Sequence, residues 1–78
     1  VPRYFFDIRE DAIVIDVKGV DLPDRTAARD EALARGAAFA ADPHKLGGEG
    51  VVVVTVRDGP ERVVMCLRLV CQIEDVAD

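Results

Sequence analysis

Residues 26–41 decide which architectures this chain can adopt. The segment carries eight alanines together with Leu33 and Phe39, opens behind Pro23 and Asp24, and closes at Pro43. Alanine has the highest helix propensity. An aspartate at the N-cap accepts orphan backbone N–H bonds at the positive end of the helix dipole, and a proline ends the run. The pattern predicts a single helix over about residues 24–41. At about 100° per residue, Ala28, Ala32, Leu33, Gly36, Phe39 and Ala40 share one face, and its small side chains let a helix lie close on a sheet.

On both sides of that helix the periodicity is two. Residues 3–9 set Tyr4, Phe6 and Ile8 against Arg3, Phe5, Asp7 and Arg9. After Glu10-Asp11, residues 12–17 resume with Ile13, Ile15 and Val17 opposite Val14 and Asp16, which predicts a hairpin. Lys18-Gly19 then turns, and Val20-Asp21-Leu22 is expected to follow the sheet edge. Beyond the helix, residues 42–50 read as a loop, 51–56 as a β-branched strand, 57–61 as a turn and 62–74 as a long strand. In that last strand Val63, Met65, Leu67, Leu69, Cys71 and Ile73 form one face, and the tail 75–78 is expected to fray. The predicted fold is α+β with element order β-β-α-β-β, one domain over residues 1–78. It is a four-stranded antiparallel sheet in the order 2-1-3-4 with the helix across one face.

One helix covers one face of such a sheet. The other is expected to carry Phe5, Val14, part of 51–54, Val64, Cys66 and Val70, an apolar patch that suits a protein partner or a homodimer interface. Size points the same way. A chain of 78 residues buries only about 60% of its unfolded surface, and small domains often need a disulfide, a metal or a second subunit.

The first two are not expected here. Cys66 and Cys71, five apart on a strand, would lie about 17 Å from each other, beyond disulfide reach, and read as half-buried structural thiols in a reducing, cytoplasmic setting. With His44 they give three scattered candidate nitrogen or sulfur ligands, too few for structural zinc, so no metal and no cofactor are expected. The opening residues lack the pattern of a leader, and the longest uncharged apolar stretch, 51–56, is far short of a membrane span. Fifteen acidic against ten basic residues give a charge of −5 with no basic run, which disfavours nucleic acid.

Catalytic chemistry finds no residue set. Serine is absent, the threonines Thr26 and Thr55 have no histidine at a suitable spacing, and Tyr4 belongs to a core strand, so the chain is not expected to be an enzyme. The run Gly47-Gly48-Glu49-Gly50 follows a helix and opens a strand, the reverse of a phosphate-cradling loop, and is read as a connection. Asp7 and Asp16 share one side of the predicted hairpin and need a neighbouring cation. Arg3, Arg25 and Arg29 can supply it, and Arg29, set amid the helix's apolar face, is singled out as able to pair with Asp7 or Asp16. That cluster is read as an ion-pair clasp between sheet and helix, with a small-ligand or ion site as its alternative.

The opening VPRYFFDI and the later GVDLPDRTAARDEAL resemble a family of short alphaproteobacterial proteins, grouped as a domain of unknown function, that begin M-P-R-Y-F-F-D. Asp16, Gly19, Leu22, Pro23, Asp24, Ala28, Arg29, Glu31 and Ala32 match the family's middle segment. The resemblance implies a small stand-alone cytoplasmic protein without assigned activity. Leu22-Pro23-Asp24 and Glu31-Ala32-Leu33 are also similar, at the level of fold, to the antidote component of HicA/HicB-type toxin–antitoxin pairs, which implies an inhibitor of a protein partner. The function expected from the residues is a homo-oligomerising interaction or regulatory module.

Overall fold

The structure is a computed structural model and describes residues 1–44 and 50–77. Its elements are β1 (Arg3–Arg9), β2 (Ile13–Val14), β3 (Val20–Asp21), α1 (Arg25–Ala40), β4 (Val51–Arg57) and β5 (Val63–Val70). All pairings are antiparallel, in the order β2-β1-β4-β5, with β3 also on β1. The α+β class and the strand order expected from the sequence are those observed.

The core follows from register. Phe6 lies opposite Val56 and Ile8 opposite Val54, while Val52, Val54 and Val56 face Leu69, Leu67 and Met65. Together with Tyr4 these side chains form one face of the sheet, and α1 lies on it with Ala28, Ala32 and Gly36 buried. The valines at 52, 54 and 56 are fully enclosed, each contributing about 1.5–3 kcal/mol by burial. Gly36 explains how α1 comes so close: a Cβ there would meet Leu69 Cδ1 at 2.8 Å and Leu67 Cδ2 at 3.2 Å. Asp24 caps the helix by accepting the Ala27 N–H at 2.9 Å.

Several elements differ from the sequence-based expectation. The predicted second strand contracts to Ile13–Val14, and β3 pairs with β1 at its opposite end, so the edge strand is split. The cause is Asp16, whose carboxylate takes the Phe6 N–H at 3.0 Å where a strand backbone would otherwise sit. The last strand ends at Val70, not at residue 74; Cys71 donates its N–H to the Gly50 carbonyl, and residues 71–77 carry no regular structure. Cys66 and Cys71 are free and exposed, not half-buried. On α1 the buried stripe is narrower than the helical wheel suggests: Phe39 is half-buried, Leu33 is 39% exposed, and Ala40 and Arg29 face solvent. The predicted connection Gly47-Gly48-Glu49 lies outside the described residues.

Candidate functional site: the open sheet face

Opposite α1 the sheet presents residues in cross-strand rows. Phe5 lies opposite Arg57, Asp7 opposite Thr55 and Cys66 beyond it, and Arg9 opposite Val53 and Arg68. Ile13 continues the Arg9 row on β2, and Val51 pairs with Val70 at the far end. Phe5, Cys66 and Val70 therefore occupy the face expected of them. Val14 does not: it pairs with Ile8 and so lies on the helix side, at the rim of the core, 57% exposed. Val64 is also displaced, because the register shifts at Val56/Arg57 and Val64 packs against the core.

The expected carboxylate cluster forms, with a different arginine. Asp7 accepts the Asp16 N–H at 2.9 Å, so the two acidic residues are neighbours. The cation beside them is Arg57, not Arg29, which is exposed on α1. Arg57 sits diagonal to Asp7 across β4 and β1, and its Nε and Nη2 donate to the two Asp7 oxygens. Nη2 also donates to the Asp16 carbonyl, Nη1 to the Gly59 and Pro60 carbonyls, and the guanidinium lies 5.0 Å from the Phe5 ring centre. The clasp thus holds sheet, edge loop and the 57–63 turn, rather than sheet and helix. Sequence reading missed Arg57 because the residue was assigned to the turn; its place one diagonal from Asp7 becomes visible only once Phe5 is set opposite it.

These contacts set the electrostatics. Hydrogen bonds from Arg57 hold the Asp7 carboxyl below the usual aspartate range, against the opposing effect of burial. Burial pushes the Asp16 carboxyl up, but N–H donors from Gly19, Phe6 and Lys18 outweigh it and leave Asp16 lowered as well. Both carboxylates are ionised and their oxygens engaged, so their ordinary role is to fix the edge loop.

Beside this clasp lies a groove of about 270 Å³, bordered by Arg9, Ile13, Ile15, Thr55, Cys66 and Arg68 over a floor at Val53. No group of three or more histidines, cysteines or carboxylates able to hold a metal ion occurs among the described residues. No helix among them is long and apolar enough to cross a membrane.

A family model described as a domain of unknown function, DUF6894, matches residues 3–70. The chain belongs to this family. The DUF6894 match opens at the first residue of β1 and closes at the last residue of β5, so it spans the entire sheet and α1. No curated protein and no solved structure matches the chain.

Proposed function

We propose that this DUF6894 chain is a non-enzymatic, cytoplasmic interaction module that works as a homodimer paired along β5. The observation that carries the reading is the contrast between the two edges of the sheet. At one edge β2 and β3 are two residues each, separated by the Asp16 loop. At the other, β5 is an eight-residue strand, VVMCLRLV, apolar but for Arg68, with β4 as its one strand neighbour among the described residues. Long apolar edges pair with another strand unless charge, proline or covering structure prevents it.

The backbone geometry defines how a second copy would fit. The Cys71 N–H points to β4, where it meets the Gly50 carbonyl. Hydrogen-bonding direction alternates along an antiparallel strand, so the backbone groups of Cys66, Arg68 and Val70 point outward. Antiparallel pairing centred on Leu67 sets Cys66 against Arg68 of the second copy, Val64 against its Val70, and Met65 against its Leu69. Like charges never face each other in that register, and the core-side leucines meet core-side residues.

The helix supports the same side. Gly36 lies against Leu67 and Leu69 of β5, whereas the Arg35 guanidinium lies over the Phe6 ring of β1. The flank of α1 leaning toward the outer edge of β5 therefore carries Leu33, half-exposed in one chain and covered when a second helix lies alongside. Exposed free thiols at Cys66 and Cys71 suit a reducing compartment.

Sedimentation equilibrium at about 100 μM is expected to give a dimer whose population follows concentration. Cys66→Pro removes one outward N–H without touching the β4 ladder, and is expected to yield a folded monomer with unchanged far-ultraviolet dichroism. A wild-type chain that sediments as a strict monomer sinks the reading, as does a Cys66→Pro variant that remains dimeric.

A further inference from the structure

We propose that the open-face groove is a binding site for an organic anion with an apolar body, its charged group held between Arg9 and Arg68. The two arginines stand in one cross-strand row with Val53 between them, Arg9 on β1 and Arg68 on β5. Two strand spacings put their backbones about 10 Å apart, within reach of two long side chains converging on one group above Val53. Val53 is 7% exposed, so the floor between them is apolar and nearly dry.

Arg3, Arg35, Arg57 and Arg62 each have a carboxylate partner, at Asp21, Glu31, Asp7 and Asp58. Arg9 and Arg68 have none among the described residues. Arg25 and Arg29 on α1 also lack a carboxylate partner among the described residues, but only Arg9 and Arg68 combine that with a shared cross-strand row and a common groove. The carboxylate nearest in the groove lining, Asp7, is already neutralised by Arg57 through two short hydrogen bonds. The groove is therefore doubly positive in a chain whose net charge is −5. Nothing about folding requires two unpaired arginines flanking Val53 in one row, and an anion between them relieves their repulsion with charge-assisted bonds.

The surrounding residues define the rest of the ligand. Ile13 and Ile15 wall one side, 63% and 57% exposed, and offer an aliphatic surface next to the charged end. Thr55 and Cys66, one row further, place a hydroxyl and a thiol along the floor. A carboxylate on a short aliphatic chain matches this sequence of charge and apolar wall. The site lies within one chain and goes beyond the dimer reading. In β5 pairing Arg68 keeps its side chain on the open face, so the site is retained.

Sodium octanoate is the probe, with acetate, inorganic phosphate and octanol as controls, followed by calorimetry and by amide chemical shifts of the full chain. Octanoate is expected to bind saturably and to shift Val53, Thr55 and Arg68, with acetate, phosphate and octanol each at least about tenfold weaker. Arg9→Gln with Arg68→Gln is expected to weaken octanoate about tenfold or more, and Arg29→Gln to leave it unchanged. The proposal falls if octanol or phosphate binds as well as octanoate, if the double variant binds like wild type, or if no saturable binding occurs. Sedimentation of the double variant keeps the outcome separate from that of the dimer, because neither substitution removes an outward backbone group of β5.

Discussion

Arg57 grips Asp7 from the neighbouring strand, Nε to Oδ2 at 2.7 Å and Nη2 to Oδ1 at 2.9 Å, with the two side chains only 13% and 15% exposed. The remaining N–H groups of Arg57 go to the carbonyls of Asp16, Gly59 and Pro60, so a single guanidinium ties three segments of chain. Lysine carries the charge without the planar fork. Arg57→Lys is expected to lower unfolding stability by about 2 kcal/mol in urea titration, although charge is conserved. A change within a few tenths of a kcal/mol shows that the fork is dispensable.

The pH dependence has a fixed sign. Asp7 and Asp16 both have folded-state values lowered from 3.8. Their stabilisation is complete above that ordinary value and is lost as pH falls through the lowered folded values. Stability is thus expected to be flat from about pH 5 to 7 and to decline below about pH 4. In Asp7→Asn that acid decline is shallower, and the gap to wild type closes at the lowest pH. Parallel curves across the whole range would contradict the assignment.

Asp16 serves as a substitute for strand backbone. Its carboxylate accepts N–H bonds from Phe6, Lys18 and Gly19, each at 3.0 Å. Asp16→Ala leaves those donors without acceptors and is expected to cost about 2–4 kcal/mol. The loss shows locally as faster hydrogen exchange at the Phe6 amide, while Val54 in the centre of the sheet keeps its relative protection.

Gly19 closes the same loop with φ +73°, and a Cβ there would lie 2.8 Å from Arg3 Cγ and 2.9 Å from Phe5 Cε2. Gly19→Ala is expected to destabilise by about 1–3 kcal/mol through backbone strain and crowding. Gly59, with open space around its Cα, is the matched control: Gly59→Ala is expected to be close to neutral. Equal thermal midpoints for the two variants would refute the distinction.

At the N-cap, Asp24→Ala removes the acceptor for the Ala27 N–H and is expected to cost about 1 kcal/mol. Asp24→Ser is expected to retain most of the stability, because a hydroxyl can accept the same bond. Both values are read by thermal unfolding followed at 222 nm, a wavelength that reports helix.

How much of this was legible in the sequence depended on whether a feature is local or shared between strands. The helix is bounded by local chemistry, and Asp24, the alanine run and Pro43 placed it to within a residue of Arg25–Ala40. Alternation in 3–9 likewise placed Tyr4, Phe6 and Ile8 inward, because a period of two survives any choice of partner strand. The unbroken valine run 51–54 has no such alternation, and shows Val52, Val54 and Val56 as the inward set only through its register with β1. The second strand was overextended because Ile13, Ile15 and Val17 keep the alternation even where Asp16 draws the backbone out of the ladder. Arg57 and Val14 were misplaced for a related reason. Their faces depend on register, at the Val56/Arg57 shift and the Ile8–Val14 pair, which periodicity within one segment does not encode. The Arg9–Val53–Arg68 row was invisible for the same cause, since its members lie on three strands.

The break between β2 and β3 has a further consequence for assembly. A sheet with two competent edges can add copies without limit, each new chain presenting the edge that the last one consumed. This sheet has one. Any two copies that meet along β5 leave only interrupted margins facing outward, and a third finds no continuous template. The loop held by Asp16 and Arg57, on the edge of the sheet opposite β5, is thus what would turn self-recognition into a closed pair instead of a fibre.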